Sequence, residues 1–306
     1  MPQLLGRQFI EFARTSRFSH TLFALPFALG TALVAEPPVP DGWALALLVG
    51  CMVTARTAAM GMNRVADAAL DARNPRTADR AIPAGRLSRR VAIVLLFASA
   101  ILFLQLAWLF LPLRGNGWPG VLAPVFIGVL LGYSYTKRFT ILAHWVLGLA
   151  LGLAPVGAWI ALRGGIDVLP VLIGAAVLFW TAGFDILYSL QDVEVDRREG
   201  LRSVPARLGF TAALRLAAAS HLATIALMAL AILADARRPD GGAMGLASRL
   251  ALLAIAAALV VQHRRAHRST PEEIGRAFTP LNVLVSVVWL VGIVVDVALA
   301  ARWPAG

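Results

Sequence analysis

Charge is scarce in this chain. Only 15% of its 306 residues are Asp, Glu, Lys or Arg, where a soluble domain carries about 25%. That shortage excludes an ordinary cytosolic enzyme, a disordered chain and a coiled coil. Cysteine is scarcer still. Cys51 stands alone, which rules out an internal disulfide and a cysteine-based metal site. Lysine occurs once, as Lys137. No Ser-His-Asp or Cys-His set is evident in the order of residues.

Apolar surface is what the chain has in excess. The residues AVILMFWYC make up 59%, and the mean hydropathy is +0.75. Length alone suggests one or two soluble domains. Composition replaces that with a single all-α membrane unit over residues 1–306. Lys+Arg number 28 and Asp+Glu 17, a formal charge of +11. Such a balance raises nucleic acid as a partner. Basic residues gathered on the cytoplasmic loops of a membrane protein explain it better, so no nucleic-acid partner is expected.

Nine apolar segments are read at 20–35, 43–66, 91–111, 118–136, 140–162, 168–190, 211–234, 244–262 and 279–301. Crossing a bilayer core takes about 20 helical residues at ~1.5 Å each, so the first segment is short. In lipid every backbone polar group needs an internal partner, so these runs read as helices. Basic residues then alternate from loop to loop. The N-terminus holds Arg7, Arg14 and Arg17, and the loop after the second segment holds Arg73, Arg76, Arg80, Arg86, Arg89 and Arg90. Residues 36–41 hold none, and the third and fifth loops hold only Arg114 and Arg163. The positive-inside rule places the N-terminus in the cytoplasm and the C-terminus outside, in a cell (inner) membrane. Trp43, Trp118, Trp159 and Trp303 fall at the outer ends, as an aromatic belt does. Residues 2–17, with Leu5, Phe9 and Phe12 at helical spacing, read as an interfacial helix. A signal peptide over 1–36 is the competing reading.

Two acidic clusters stand out. Asn63, Asp67 and Asp71 are spaced i, i+4, i+8 at the end of the second segment. On a helix they drift only ~40° per step and share one face. Asp185, Tyr188, Asp192 and Asp196 close the sixth segment, on one helical face by the same reckoning. Four crossings separate the clusters, so both sit at the same mouth. Aligned carboxylates with one lysine in the whole chain repel unless cations bridge them. Oxygen-only ligands suit Mg²⁺, which binds through one or two carboxylates plus phosphate oxygens. Arg73, Arg76, Arg80, Arg197, Arg198 and Arg202 lie just beyond and suit phosphate. Carboxylate, magnesium, diphosphate and arginine thus make one alternating set of charges. Solvated helix ends with Asp and Arg paired across loops are the plainer alternative. Asp67, Asp71 and Arg73 also recur 125 residues on as Asp192, Asp196 and Arg198, too few matches to define a repeat.

The stretch from Asn63 to Ser88, NRVADAALDARNPRTADRAIPAGRLS, resembles the first signature of the UbiA superfamily of intramembrane prenyltransferases. The stretch from Asp185 to Gly209, DILYSLQDVEVDRREGLRSVPARLG, resembles its second, and RTSRFSHTLFALPFALG and YSYTKRFT also fit. The wording is nearest to 4-hydroxybenzoate polyprenyltransferases, including the menaquinone branch. The resemblance implies nine helices around a central cavity under a cytoplasmic cap. It implies Mg²⁺-dependent transfer of a polyprenyl group from polyprenyl diphosphate to an aromatic acid in ubiquinone or menaquinone biosynthesis, with the prenyl tail in an apolar cavity open to lipid. By matching positions, metal and diphosphate binding falls on Asn63, Asp67, Asp71, Asp192 and Asp196. Asp185 and Tyr188 join as cavity-lining catalytic helpers. Lys137 and Arg138 form a basic pair near donor diphosphate or acceptor carboxylate, and Arg17 and Arg80 are further substrate contacts. Arg64 and Arg80-Ala81 stand where a common family form has Asp and Arg-Pro.

Among other residues, Arg56 lies within the second segment on the face of Asn63, and an intramembrane arginine is a functional candidate. Asp185 is its expected partner. His20 and His144 read as packed or interfacial, Met60 and Met62 as fillers, and Asp296 as reaching water. Two rival functions remain. CDP-alcohol phosphotransferases share Ala-Arg before paired aspartates, yet Val49-Gly50-Cys51 lacks the acidic part and the second cluster is unexplained. An ion-coupled transporter would carry its charges near the midplane.

Overall fold

The computed structural model describes residues 2–15, 21–239, 241–267 and 270–302. It is all-helical over them. The helices run α1 (Pro2–Thr15), α2 (Thr21–Ala35), α3 (Gly42–Arg73), α4 (Arg89–Trp108), α5 (Phe110–Arg114), α6 (Trp118–Thr136), α7 (Ala143–Arg163), α8 (Val168–Tyr188), α9 (Val193–Arg198), α10 (Val204–Asp235), α11 (Leu246–Ala266) and α12 (Pro271–Arg302). Eight stretches among the described residues are long and apolar enough to cross a membrane. The ninth expected segment is α2, apolar but only 15 residues long.

Apolarity marks where lipid lies, not where helical hydrogen bonding stops. So α3 runs on to Arg73, past the expected end at 66. Likewise α10 starts at Val204 rather than 211 and bends at Gly209, whose φ of 82° only glycine adopts without strain. Local caps set other ends. Asp41 accepts the amide of Ala44 at the start of α3, and Ser88 accepts that of Val91 at the start of α4.

The bundle packs through small residues and a buried aromatic set. A Cβ on Gly148 would lie 2.2 Å from the Leu178 carbonyl oxygen, and one on Gly152 would lie 2.4 Å from that of Gly174. Glycine there lets α7 and α8 touch backbone to backbone. Phe27, Trp180 and Trp289 are fully buried between α2, α8 and α12. Val34 and Ala35 are fully buried too.

Two expectations at the end away from the acidic clusters need correction. Asp296 does not reach water. It is buried and accepts the amides of Gly245, Ala247 and Ser248, capping the start of α11. Trp43 and Trp118 are exposed as a belt requires, but Trp159 is buried, with the guanidiniums of Arg163 and Arg238 5.7 and 5.3 Å from its ring centre. An indole gains more from those cations than from an interface. Trp303 lies outside the described residues.

Candidate active site

The first cluster is carried by α3 as one uninterrupted helix, so Asn63, Asp67 and Asp71 do share a face. The Asn63 amide donates to Asp67 at 3.1 Å. Asp67 is only 2% exposed, and a carboxylate so buried needs cationic partners. Lys137 Nζ stands 3.0 Å from one of its oxygens and Arg138 Nη2 donates to the other at 3.0 Å. Both come from the turn that ends α6, and Arg138 also donates to the Ala66 carbonyl at 2.8 Å. One turn on, Asp71 receives Arg80 Nη1 at 2.7 and 2.9 Å, with Arg64 3.9 Å away.

The second cluster departs from the single helical face expected of it. The α-helix stops at Tyr188, and Ser189–Asp192 form a 3-10 turn before α9 begins. The Ser189 hydroxyl donates to the Ile186 carbonyl and the Gln191 amide to that of Tyr188, so side chains take carbonyls near the helix end. The tighter turn changes the angle between Tyr188, Asp192 and Asp196.

The two clusters meet at one end of the bundle. Arg76 forks onto Asp192 through Nε at 3.0 Å and Nη2 at 2.5 Å. Asn74 adds a third bond to Asp192 at 3.0 Å. Arg76 also donates to the Tyr188 hydroxyl at 3.3 Å, its guanidinium 5.6 Å from the ring centre. Burial pulls the Arg76 pKa down, but the bonds and charge of Asp192 outweigh it, so the net shift is upward. Arg198 donates to the Arg73 carbonyl at 3.0 Å, joining the ends of the two echoed segments.

Asp185 is held differently. His144 Nδ1 lies 2.7 Å from its carboxylate, while His144 Nε2 accepts the Val204 amide at 3.1 Å. A ring nitrogen that accepts an N–H carries no proton, so Nδ1–H is the donor to Asp185. The expected Arg56–Asp185 pair does not form. Arg56 instead lines the cavity, its Nε is buried, and its side chain has no hydrogen bond or ion pair among the described residues.

That cavity holds about 360 Å³. Asn63, Arg64, Arg80 and Tyr188 give it a polar mouth, Arg56 and Asp185 stand in its wall, and Phe103, Phe110, Phe126 and Leu130 line its apolar length. Its wall on α6 runs from Tyr133 to Pro119, about 21 Å at helical rise. Cys51 and Met60, on α3, line the same cavity.

Of the expected site residues, Asn63, Asp67, Asp71, Arg80, Lys137, Arg138, Asp192 and Tyr188 come together at the mouth. Asp185 lies on the cavity wall and Asp196 is buried just beyond Asp192. Arg17 and His20 lie outside the described residues. Asn74 and the role of His144 escape sequence reasoning. For Asn74 there was a signal, since it directly follows the cluster and precedes Pro75. A lone histidine at the head of an apolar run gives none.

The donors at the mouth are carboxylate and amide oxygens. No three acidic, histidine or cysteine side chains converge on one point among the described residues. That set fits a hard cation such as Mg²⁺, which takes one or two carboxylates and completes its shell with phosphate and water.

Comparison with known proteins agrees with this geometry. Residues 24–290 match the model of the UbiA prenyltransferase family. Both acidic clusters fall inside that match, which displaces the phosphotransferase and transporter readings. The chain is 30% identical to a 4-hydroxybenzoate octaprenyltransferase of Xanthomonas euvesicatoria, over 97% of this chain and 94% of the relative. The structure of a UbiA homolog from Aeropyrum pernix superposes with a TM-score of 0.78 at 31% identity, covering 90% of this chain and 98% of that one. A UbiA homolog from Archaeoglobus fulgidus bound to DMAPP and Mg²⁺ shares the fold, with a TM-score of 0.66 at 19% identity over 92% and 99% of the two chains.

Proposed function

The chain belongs to the UbiA prenyltransferase family, and from that premise we propose that it transfers a polyprenyl group from polyprenyl diphosphate to 4-hydroxybenzoate in quinone biosynthesis. It is a multi-pass membrane protein. The excess of arginine at the acidic mouth supports a mouth facing the cytoplasm, in a cell inner membrane.

One observation carries the reading. A single cavity joins a mouth of carboxylates and guanidiniums to an apolar trench about 21 Å deep, with an arginine in its wall, Arg56, that is unpaired among the described residues. A diphosphate fits the mouth, a prenyl chain the trench, and an aromatic carboxylate the arginine. A guanidinium in an apolar wall gains a charge-assisted, two-pronged bond from such a carboxylate.

Asn63, Asp67, Asp71, Asp192 and Asp196 would hold Mg²⁺. When bound, the metal supplies neutralisation of diphosphate charge. Arg76, Arg80, Lys137 and Arg138 are donors to the same diphosphate oxygens and orient them. The apolar wall keeps water from the allylic cation left by ionisation. The ring attacks that cation at the carbon beside its hydroxyl. In this reading Asp185, held from behind by His144, takes the proton this carbon gives up, which its position on the cavity lining supports, and Tyr188 borders the same space. A relative and a neighbour support the acceptor and the metal: the Xanthomonas relative is a 4-hydroxybenzoate octaprenyltransferase, and the Archaeoglobus homolog binds DMAPP and Mg²⁺.

The test uses the purified full chain with polyprenyl diphosphate, 4-hydroxybenzoate and Mg²⁺, read by mass spectrometry of the lipid product. Product is expected, and EDTA is expected to abolish it. Arg56→Leu is expected to raise KM for the acid by roughly 10- to 100-fold, the worth of a lost charged hydrogen bond, while leaving KM for the diphosphate unchanged. Metal-independent turnover overturns the reading, and so does an Arg56→Leu effect of equal size on a phenol without a carboxylate.

A further inference from the structure

Beyond the cavity, the cations at the acidic end of the bundle divide into two sets. Arg86 is occupied by Asp79 and Glu11, and Glu11 also takes Arg14. Arg7, Arg89 and Arg90 are exposed and have no hydrogen bond or ion pair among the described residues. The nearby acids are therefore already used, and the positive charge of these three is uncompensated.

Arg90 sits on a groove between α1 and α4 whose other walls are Gly6, Phe9, Val91, Val94 and Leu95. Except for Arg90, that lining is apolar. Its outer side is continuous with a lipid-facing strip of α4, where Val94 is 65% and Phe97 50% exposed. The α1 side is fixed rather than loose. Phe12 is buried against Val65, Leu87 and Leu96, and the Gln8 side chain accepts the Ser88 amide at 3.2 Å. Phe9 is left outward at 60% exposure.

We propose that this groove binds one phospholipid with an anionic headgroup, an acyl chain along Phe9, Val91 and Val94 and the headgroup phosphate on Arg90. Arg89 and Arg7 add the field that selects a net negative headgroup over a zwitterionic one. A peptide partner fits less well, because the groove opens onto the strip that faces lipid tails. The bound lipid also bears on the active site. Phe12 packs on Val65, two residues before Asp67 on the same helix, so a lipid that fastens α1 to α4 also fastens the helix that carries the first carboxylates.

The experiment is native mass spectrometry of the full chain released from vesicles of equal phosphatidylglycerol and phosphatidylcholine with matched acyl chains. Wild type is expected to retain phosphatidylglycerol over phosphatidylcholine by about 10- to 30-fold, as two interfacial arginines would give. The double variant Arg89→Gln/Arg90→Gln is expected to lose that preference, and Arg90→Lys to recover part of it. Val94→Trp, which fills the groove at an exposed position, is expected to lower retention of both lipids. Equal retention of the two lipids by wild type, or a preference unchanged in the double glutamine variant, overturns the proposal.

Discussion

Buried carboxylates at the two ends of this bundle keep different company. Away from the mouth, Asp235 accepts the Met244 amide at 2.7 Å as well as the Arg238 guanidinium at 3.2 Å, and Asp296 accepts three amides at the head of α11. At the mouth, the partners of Asp67, Asp71 and Asp192 are side chains of Arg, Lys and Asn. A backbone amide is surrendered only by moving the stretch of chain that carries it. A guanidinium or ammonium swings aside by rotating about single bonds. Burial alone therefore does not mark a working carboxylate. What marks it is whether its partners are free to be exchanged for a ligand.

The largest effect expected from this contrast is at the mouth. Asp67→Asn or Asp192→Asn should lower kcat by about 10²–10³-fold, the usual worth of one group aimed at developing charge, with the thermal midpoint nearly unmoved. A large drop in stability with little loss of turnover would erase the distinction between the ends. His144→Ala should come next, lowering kcat by roughly 10- to 100-fold, as removal of a group that holds a working side chain from behind does. Its steady-state KM for diphosphate should stay level. Asp296→Ala should do the reverse, costing about 2 kcal/mol of stability through lost capping bonds and leaving kcat alone, as read by thermal melting beside an activity assay.

The smallest effect is at Asp41, an exposed acid at the far end. The Ala44 amide, and then the Arg114 guanidinium, hold its carboxyl below the ordinary value of 3.8. A group whose folded pKa is depressed stabilises the fold above the unfolded value and loses that contribution as pH falls through the folded one. Wild type should thus melt slightly above Asp41→Asn at neutral pH, and the two curves should converge in the acid range below 3.8.

The helices were largely legible from hydropathy because lipid demands apolar length, and Asn63, Asp67 and Asp71 were legible because α3 is regular throughout. The second cluster was less so. Its spacing supposes 3.6 residues per turn, whereas Ser189–Asp192 wind more tightly. Arg56 was visible as an arginine in an apolar run, but its lack of a partner among the described residues was not, because pairing between helices depends on rotation that hydropathy does not encode. Asp296 was misread for a related reason. A polar residue near a helix end has two outlets, water or another helix's amides, and only the packing of α11 against α12 selects the second.

The Arg76–Asp192 fork joins residues 116 positions apart. Such distant partners are brought together late, because the chain between them must first be ordered. During insertion into the bilayer, each acidic stretch therefore arrives without its counterpart and has no competence of its own. Severing the loop between α7 and α8 and co-producing the two pieces would make enzyme assembly itself the event that switches catalysis on.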